Sequence, residues 1–220
     1  YEKDQEKAEL LAEIIEQTSS DNNYSKNFKQ HKITQETQWK NSPSAVTSNN
    51  NYIGSTELNN NFDYHELVTA IKQCKNNSAP GQDNITYELI KHLPKSANKQ
   101  LLQFYNKLWY EQTIPDEWKE AIILPFHKPG TDKTLPSSYR PISLTSALCK
   151  INERLIANRL TWYLEKNNLI NINQSAYRKN RSTLDHLIRL QDSINKSINN
   201  NSFTIGLFFD FSKAFDMVWK

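Results

Sequence analysis

Between Phe62 and Asp210 the apolar residues recur at two periods, one helical and one extended. Phe62 is followed by Leu67, Val68, Ile71 and Cys74 at helical spacing, and Asp63-Tyr64-His65-Glu66 ahead of them has the form of a capping box. Ile85 to Leu93 resumes as a short helix stopped at Pro94. Ala97 to Tyr110 predicts a stronger helix, with Leu101, Leu102, Phe104, Tyr105, Leu108 and Trp109 on a wide apolar face. Ile114 to Trp118 turns the chain. Ala121 to Phe126 is a β-type run, and Tyr139 to Leu144 is its return strand. Pro129-Gly130 and Pro136-Ser137-Ser138 make the connection a long hairpin loop. Leu148, Ile151, Leu155, Ile156, Leu160 and Leu164 mark a long helix, whose exposed positions include Lys150, Arg154 and Arg159. Gln174 to Thr183 is a polar, basic loop. Ser182-Thr183-Leu184-Asp185 can cap the next helix, through Leu187, Ile188, Leu190 and Ile194. After Asn199-Asn200-Asn201, the run Phe203 to Phe209 reads as a buried strand. Asp210 stands at its C-terminal end, and Ser212 to Trp219 begins a helix.

The first sixty residues follow another pattern. Glu2 to Gln17 has Leu10, Leu11, Ile14 and Ile15 at helical spacing among charges, a short amphipathic helix. From Thr18 to Asn61 the composition shifts to Ser, Thr, Asn, Gln and Lys, with runs of Asn. Too few apolar residues offset the ordering entropy, so this stretch predicts a linker or disordered arm on which Trp39 and Tyr52 do not dock stably. The chain thus divides into an acidic helix with a polar linker (1–61), a helical part (62–118) and a mixed part (119–220). Its fold class is α/β, of the α+β kind.

Charge sharpens the division. The net charge of +3 is too mild to argue for nucleic acid by itself. Between Trp118 and Arg181, however, eleven basic residues face four acidic ones, a local +7 that leaves −4 for the rest. Such a basic middle suits a phosphate-facing surface, and equally a set of solvated helix faces. Cys74 and Cys149 lie in separate apolar patterns without metal spacing and read as buried free thiols. No apolar run reaches membrane length, and no leader is evident. The chain is read as soluble and intracellular, and as an internal piece of a longer polypeptide.

Asp210 carries the candidate chemistry. A carboxylate where a strand passes into a helix can face a crevice, where α/β sheets place their ligands. The simpler reading of that stretch alone is a helix cap, with Asp216 a solvated first-turn acid.

Other stretches bear on the choice. In order come Ser78-Ala79-Pro80-Gly81-Gln82-Asp83, Trp118-Lys119 before Ile122-Ile123-Leu124-Pro125, Lys128-Pro129-Gly130, Ser138-Tyr139-Arg140-Pro141-Ile142-Ser143-Leu144, Gln174 to Thr183, and Phe209-Asp210-Phe211-Ser212-Lys213-Ala214-Phe215-Asp216. From about Phe62 to Lys220 this ordered set resembles the reverse transcriptase of non-LTR (LINE-type) retrotransposons, the jockey-like elements in particular. The resemblance implies a right-hand polymerase fold, of which this chain would hold the fingers and early palm only. It implies RNA-templated DNA synthesis with two magnesium ions, an RNA template, a DNA primer and deoxynucleoside triphosphates. Asp210 matches the family's first metal-binding aspartate, and the Phe211 carbonyl is its usual companion. Ser212, Lys213 and Ala214 lie where backbone N–H groups meet the triphosphate, and Phe215 resembles the aromatic that crowds the sugar 2′ position. Lys128 and Arg140 resemble the fingers residues that grip the incoming triphosphate. Arg178 and Arg181 resemble arginines set near template or primer phosphate. Ala176 and Tyr177 depart from the family's usual glycine and phenylalanine, which puts that loop's geometry in question. Without the motifs, Lys128 and Arg140 read as a surface pair and Phe215 as a core residue.

The family's second aspartate pair lies further along, and this chain contains no Asp-Asp. One carboxylate cannot hold two metals, so the chain alone is expected to be inactive as a polymerase. A catalytically dead RNA-binding remnant and a relic without a selected role are the alternatives. The family implies work in the nucleus or in a cytoplasmic ribonucleoprotein, although no basic import cluster is evident.

Overall fold

The computed structural model describes residues 4–41, 56–211, 214 and 218. They divide into two units, Tyr1–Arg159 with Ala214–Lys220, and Leu160–Lys213. In order, the helices are α1 (Asp4–Thr18), α2 (Lys26–Asn41), α3 (Thr56–Asn59), α4 (Tyr64–Lys72), α5 (Tyr87–Lys91) and α6 (Lys95–Glu111). Then come the strands β1 (Ile122–His127) and β2 (Tyr139–Leu144), followed by α7 (Ala147–Lys166) and α8 (Thr183–Asn199).

The first unit is built on a helical core. Leu67, Ala70 and Ile71 of α4, Ile90 of α5, Tyr105 and Leu108 of α6, and Ile151 and Leu155 of α7 are buried together with Phe62 and Trp118. Helix α4 starts where the sequence places it. The Asp63 carboxylate accepts from the Glu66 backbone N–H, and the Glu66 carboxylate accepts from the Asp63 N–H, which closes a capping box. Phe62 is fixed by reciprocal bonds with the Asn106 amide, at 2.6 and 3.0 Å. Tyr105 is fully buried, and its hydroxyl donates to the Leu148 carbonyl at 2.9 Å, which satisfies the one polar atom that its burial would strand. The Trp118 ring meets Phe104 edge-on, centroids 5.9 Å apart.

Strands β1 and β2 form an antiparallel hairpin, with Ile122 opposite Leu144, Phe126 opposite Arg140 and His127 opposite Tyr139. Side chains alternate between faces, so Ile122, Leu124 and Phe126 share one face with Arg140 and Ile142, while Ile123 and Pro125 point the other way. Leu11, Ala12 and Ile15 of α1 line an apolar depression with Ile123 and Pro125. The acidic N-terminal helix thus borders the second face, which stays as open as the first, with Ile123 40 % exposed against 37 % for Leu124.

In the second unit, Ser182 and Asp185 close the expected capping box of α8. The end of α7 and the loop 167–182 are tied together by arginines, described below.

Two expectations are corrected. The stretch 18–61 is not wholly an unstructured arm, because Lys26–Asn41 is helical. The helix buries no residue and rests on local contacts: Lys32 donates to Asp21 at 2.7 Å, Tyr24 and Phe28 rings lie 4.8 Å apart, and the Ser25 hydroxyl accepts from the Phe28 N–H at the helix start. Trp39 is exposed, while Tyr52 and the rest of 42–55 lie outside the described residues. The strand expected over Phe203 to Phe209 is irregular backbone, and Phe203, Ile205, Leu207, Phe208 and Phe209 are between 75 and 86 % exposed. A strand holds only where a neighbour accepts its ladder bonds, and the described sheet consists of β1 and β2 alone. The helix expected from Ser212 lies outside the described residues, save Ala214 and Val218.

Candidate functional site

The hairpin brings two candidate side chains to one face. Arg140 sits on β2 opposite Phe126. Just beyond β1, the Lys128 backbone N–H donates to the Ser138 carbonyl at 2.7 Å and extends the ladder by one residue. Lys128 therefore lies two positions along from Phe126, on the face that carries Arg140. The Lys128 ammonium donates to the Ser137 carbonyl at 2.7 Å, which folds it back over the loop. Asp132 accepts from both the N–H and the hydroxyl of Thr134 at 2.8 Å, and these bonds hold its carboxyl below the usual range. The Tyr139 hydroxyl donates to the Lys133 carbonyl. The loop is thus locked by its own polar side chains. Arg140 is exposed, among the exposed apolar side chains of Leu124, Phe126 and Ile142.

The hairpin leads straight into α7, and that junction is fixed by the Ser78-to-Asp83 loop. A Cβ on Gly81 would lie 2.7 Å from the Ser146 nitrogen, so only glycine allows the approach. Ser146 donates its hydroxyl to Asp83 Oδ2 at 2.6 Å and accepts from the Leu148 N–H at 3.2 Å. The other Asp83 oxygen accepts from the Ile85 N–H. Sequence reasoning marked this loop as a turn and missed its partner.

Several of the basic residues counted toward a phosphate-facing surface are engaged inside the chain. Arg159 pairs with both oxygens of Glu66 at 2.6 and 2.7 Å, donates to the carbonyls of Leu58, Asn60 and Asn61, and lies over the Phe62 ring. Arg154 donates to the Gln73 carbonyl. Arg159 and Arg154, expected on the exposed side of α7, turn inward instead, because the carbonyls around α4 present acceptors to that side.

In the second unit, Arg178 clasps Glu165 through two bonds, at 2.8 and 2.6 Å, and donates to the Asn171 and Gln174 carbonyls. The pair holds the Glu165 carboxyl below its usual range. The Arg178 side chain is only 12 % exposed, so its guanidinium is spent mostly on the loop itself. Arg181 pairs with Asp185 at 3.7 Å, is exposed, and stands beside exposed Lys179. The doubt over Ala176 resolves locally. Its backbone is not left-handed; the left-handed position falls on Tyr177, at φ 58°.

Asp210 and Phe211 are exposed on irregular backbone, and Ala214 is an exposed turn residue. Ser212, Lys213 and Phe215 lie outside the described residues. Among the described residues, no group of three or more His, Cys, Asp or Glu side chains is placed to hold a metal ion, and no helix is long and apolar enough to cross a membrane. Cys74 and Cys149 are buried free thiols, as expected from the sequence.

Known proteins are similar to this chain over much of its length. The reverse transcriptase (RNA-dependent DNA polymerase) family model matches residues 126–220. The chain is 39 % identical over 154 residues to the probable RNA-directed DNA polymerase from transposon BS of Drosophila melanogaster, 70 % of this chain and 17 % of that protein. It is 35 % identical over 158 residues to the probable RNA-directed DNA polymerase from transposon X-element of the same fly, 72 % of this chain and 17 % of that protein. It is 34 % identical over 154 residues to the RNA-directed DNA polymerase from mobile element jockey, again 70 % and 17 %. The matched part thus amounts to about 17 % of each of these relatives. Taken with the ordered motifs, these matches show that the chain belongs to the reverse transcriptases of non-LTR retrotransposons, and among them to the jockey-like group.

Proposed function

We propose that this chain contributes the fingers and the first palm segment of an RNA-directed DNA polymerase that extends a DNA primer on an RNA template. The observation that carries this reading is the hairpin register. It sets Lys128 and Arg140 on one face. A fork of guanidinium donors beside an ammonium suits the triphosphate of an incoming deoxynucleotide. The exposed apolar side chains around Arg140 leave room for the sugar and base.

Asp210 is the proposed first metal ligand, joined by the Phe211 carbonyl, with the backbone of Ser212, Lys213 and Ala214 against the triphosphate and Phe215 against the sugar. Two magnesium ions would supply charge neutralisation at the attacking and leaving oxygens. This chain offers them one carboxylate at Asp210, which does not complete a two-cation site. Arg178 shapes the loop that presents Arg181 and Lys179 to template or primer phosphate, contacts that position a strand without reading sequence.

The test is steady-state primer extension by a longer polymerase that includes this chain. Arg140→Ala raises the KM for deoxynucleotides about tenfold or more, the scale of a charge-assisted phosphate contact. Asp210→Asn abolishes extension while template binding persists. Full activity in Asp210→Asn would sink the assignment. The 220-residue chain by itself shows no extension.

A further inference from the structure

The left-handed residues among those described are Asn77, Asn84, Gln112, Asn168, Tyr177, Asn180 and Asn201, besides Gly130. Asparagine tolerates that region; a bulky aromatic is an outlier there. Tyr177 is also 89 % exposed, and it makes no hydrogen bond or ring contact with the other described residues. Neither packing nor a polar partner accounts for it, yet the surrounding loop fixes it in place. The next residue, Arg178, bonds Glu165 and the Asn171 and Gln174 carbonyls. The Gln174 amide donates to the Ala176 carbonyl at 3.2 Å. Arg189 of α8 bonds the carbonyls of Ile172 and Asn173. Ser175, two residues before the ring, is buried. Strain at an over-determined, exposed position is a mark of a site where function sets the conformation.

Two features identify the ligand. A flat, unpartnered aromatic ring offers a stacking face, and the exposed cations of Lys179 and Arg181 lie two and four residues further on. Stacking aromatics beside backbone-neutralising cations are what single-stranded nucleic acid needs. We propose that Tyr177 is a stacking platform for an unpaired base of a single strand, with Arg181 and Lys179 on the adjoining phosphates. This deepens the polymerase reading above and rests on it, since it names the residue that meets the template base near that loop.

Fluorescence anisotropy of the full 220-residue chain with labelled short oligouridylate, and with its deoxy counterpart, tests the proposal across a salt series. Stacking releases no counterions, whereas a phosphate contact does. Tyr177→Ala therefore weakens binding about tenfold with an unchanged salt slope, and Tyr177→Phe binds as the parent does. Tyr177→Gly removes ring and strain together, so binding falls while thermal stability holds or rises. Arg181→Gln instead lowers the salt slope by about one phosphate contact. RNA and DNA strands that respond alike to Tyr177→Ala place the contact on the base; loss on RNA alone makes it specific to template. Parent-like binding by Tyr177→Ala overturns the platform and leaves the polymerase reading standing. A parent chain that binds neither strand at low salt overturns the nucleic-acid reading of this loop, and the platform with it.

Discussion

Arg159 shows how little a count of charges says about where charge is used. Its guanidinium is consumed by Glu66, by three carbonyls and by the Phe62 ring. Both partners of the ion pair are less than a third exposed. Arg159→Ala would leave Glu66 and those carbonyls short of donors, at a cost of about 2 to 3 kcal/mol, and Arg159→Lys recovers little because an ammonium cannot fork. Urea unfolding measures both. Cys149 yields a prediction in pH. Burial, then the Glu153 carboxylate, pushes its thiol from 9.0 up to about 11. A folded-state value above the unfolded one means the thiol favours folding below about pH 9 and loses that contribution as the pH rises toward 11. Cys149→Ser flattens the alkaline limb of the stability curve, which denaturation between those limits reads directly. In the native chain, thiol reagents label Cys149 slowly at neutral pH.

At the scale of elements, the legible parts were those whose determinants are local. The capping boxes at Asp63 and Ser182 and the hairpin turning at Pro129-Gly130 are written in adjacent residues, and the structure forms them there. Helix α2 was illegible because its stability is also local but has no apolar period to announce it. The Gly81 loop was illegible for the opposite reason, since its partner lies sixty-three residues from Asp83. That contact makes a sharp prediction. In Gly81→Ala the new methyl meets backbone atoms of Thr145 and Ser146, which cannot rotate away, so destabilisation is about 1 to 3 kcal/mol. Asp83→Ala strands the buried Ser146 hydroxyl at a smaller cost, about 1 kcal/mol. Thermal melts separate the two, and a Gly81→Ala chain as stable as the parent would remove the loop from the junction. The arginine-held loop behaves differently with pH. Glu165 sits below its usual range because Arg178 bonds it, so its contribution is present above the unfolded carboxylate range and is lost as the pH falls through its folded value. Amide protection over residues 171–178, taken relative to the intrinsic exchange rate at each pH, falls on acidification, and Glu165→Gln abolishes that dependence.

For the molecule as a whole, the gap between sequence and structure falls at Phe203 to Phe209. The periodicity there is correct for a strand, but a strand is a property of a sheet, and the described sheet pairs β1 with β2 alone. The run Phe203-Thr204-Ile205-Gly206-Leu207-Phe208-Phe209 therefore stands exposed, rich in β-forming side chains and free of charge. That combination is the signature of a segment that pairs with another copy when no proper neighbour covers it. The run is thus a liability in this chain alone. Sedimentation velocity on the 220-residue chain should show association that grows with concentration. Leu207→Lys places a charge in the middle of the run and should return the chain to monomer, leaving the helical core around Tyr105 as stable as before, because Leu207 is exposed and is no part of that core. Association undiminished in Leu207→Lys would move the contact elsewhere, to the apolar stripe of α8, where Leu184, Leu187, Ile188 and Ile198 are likewise exposed. A charge at Ile188 would then be the substitution that dissolves it.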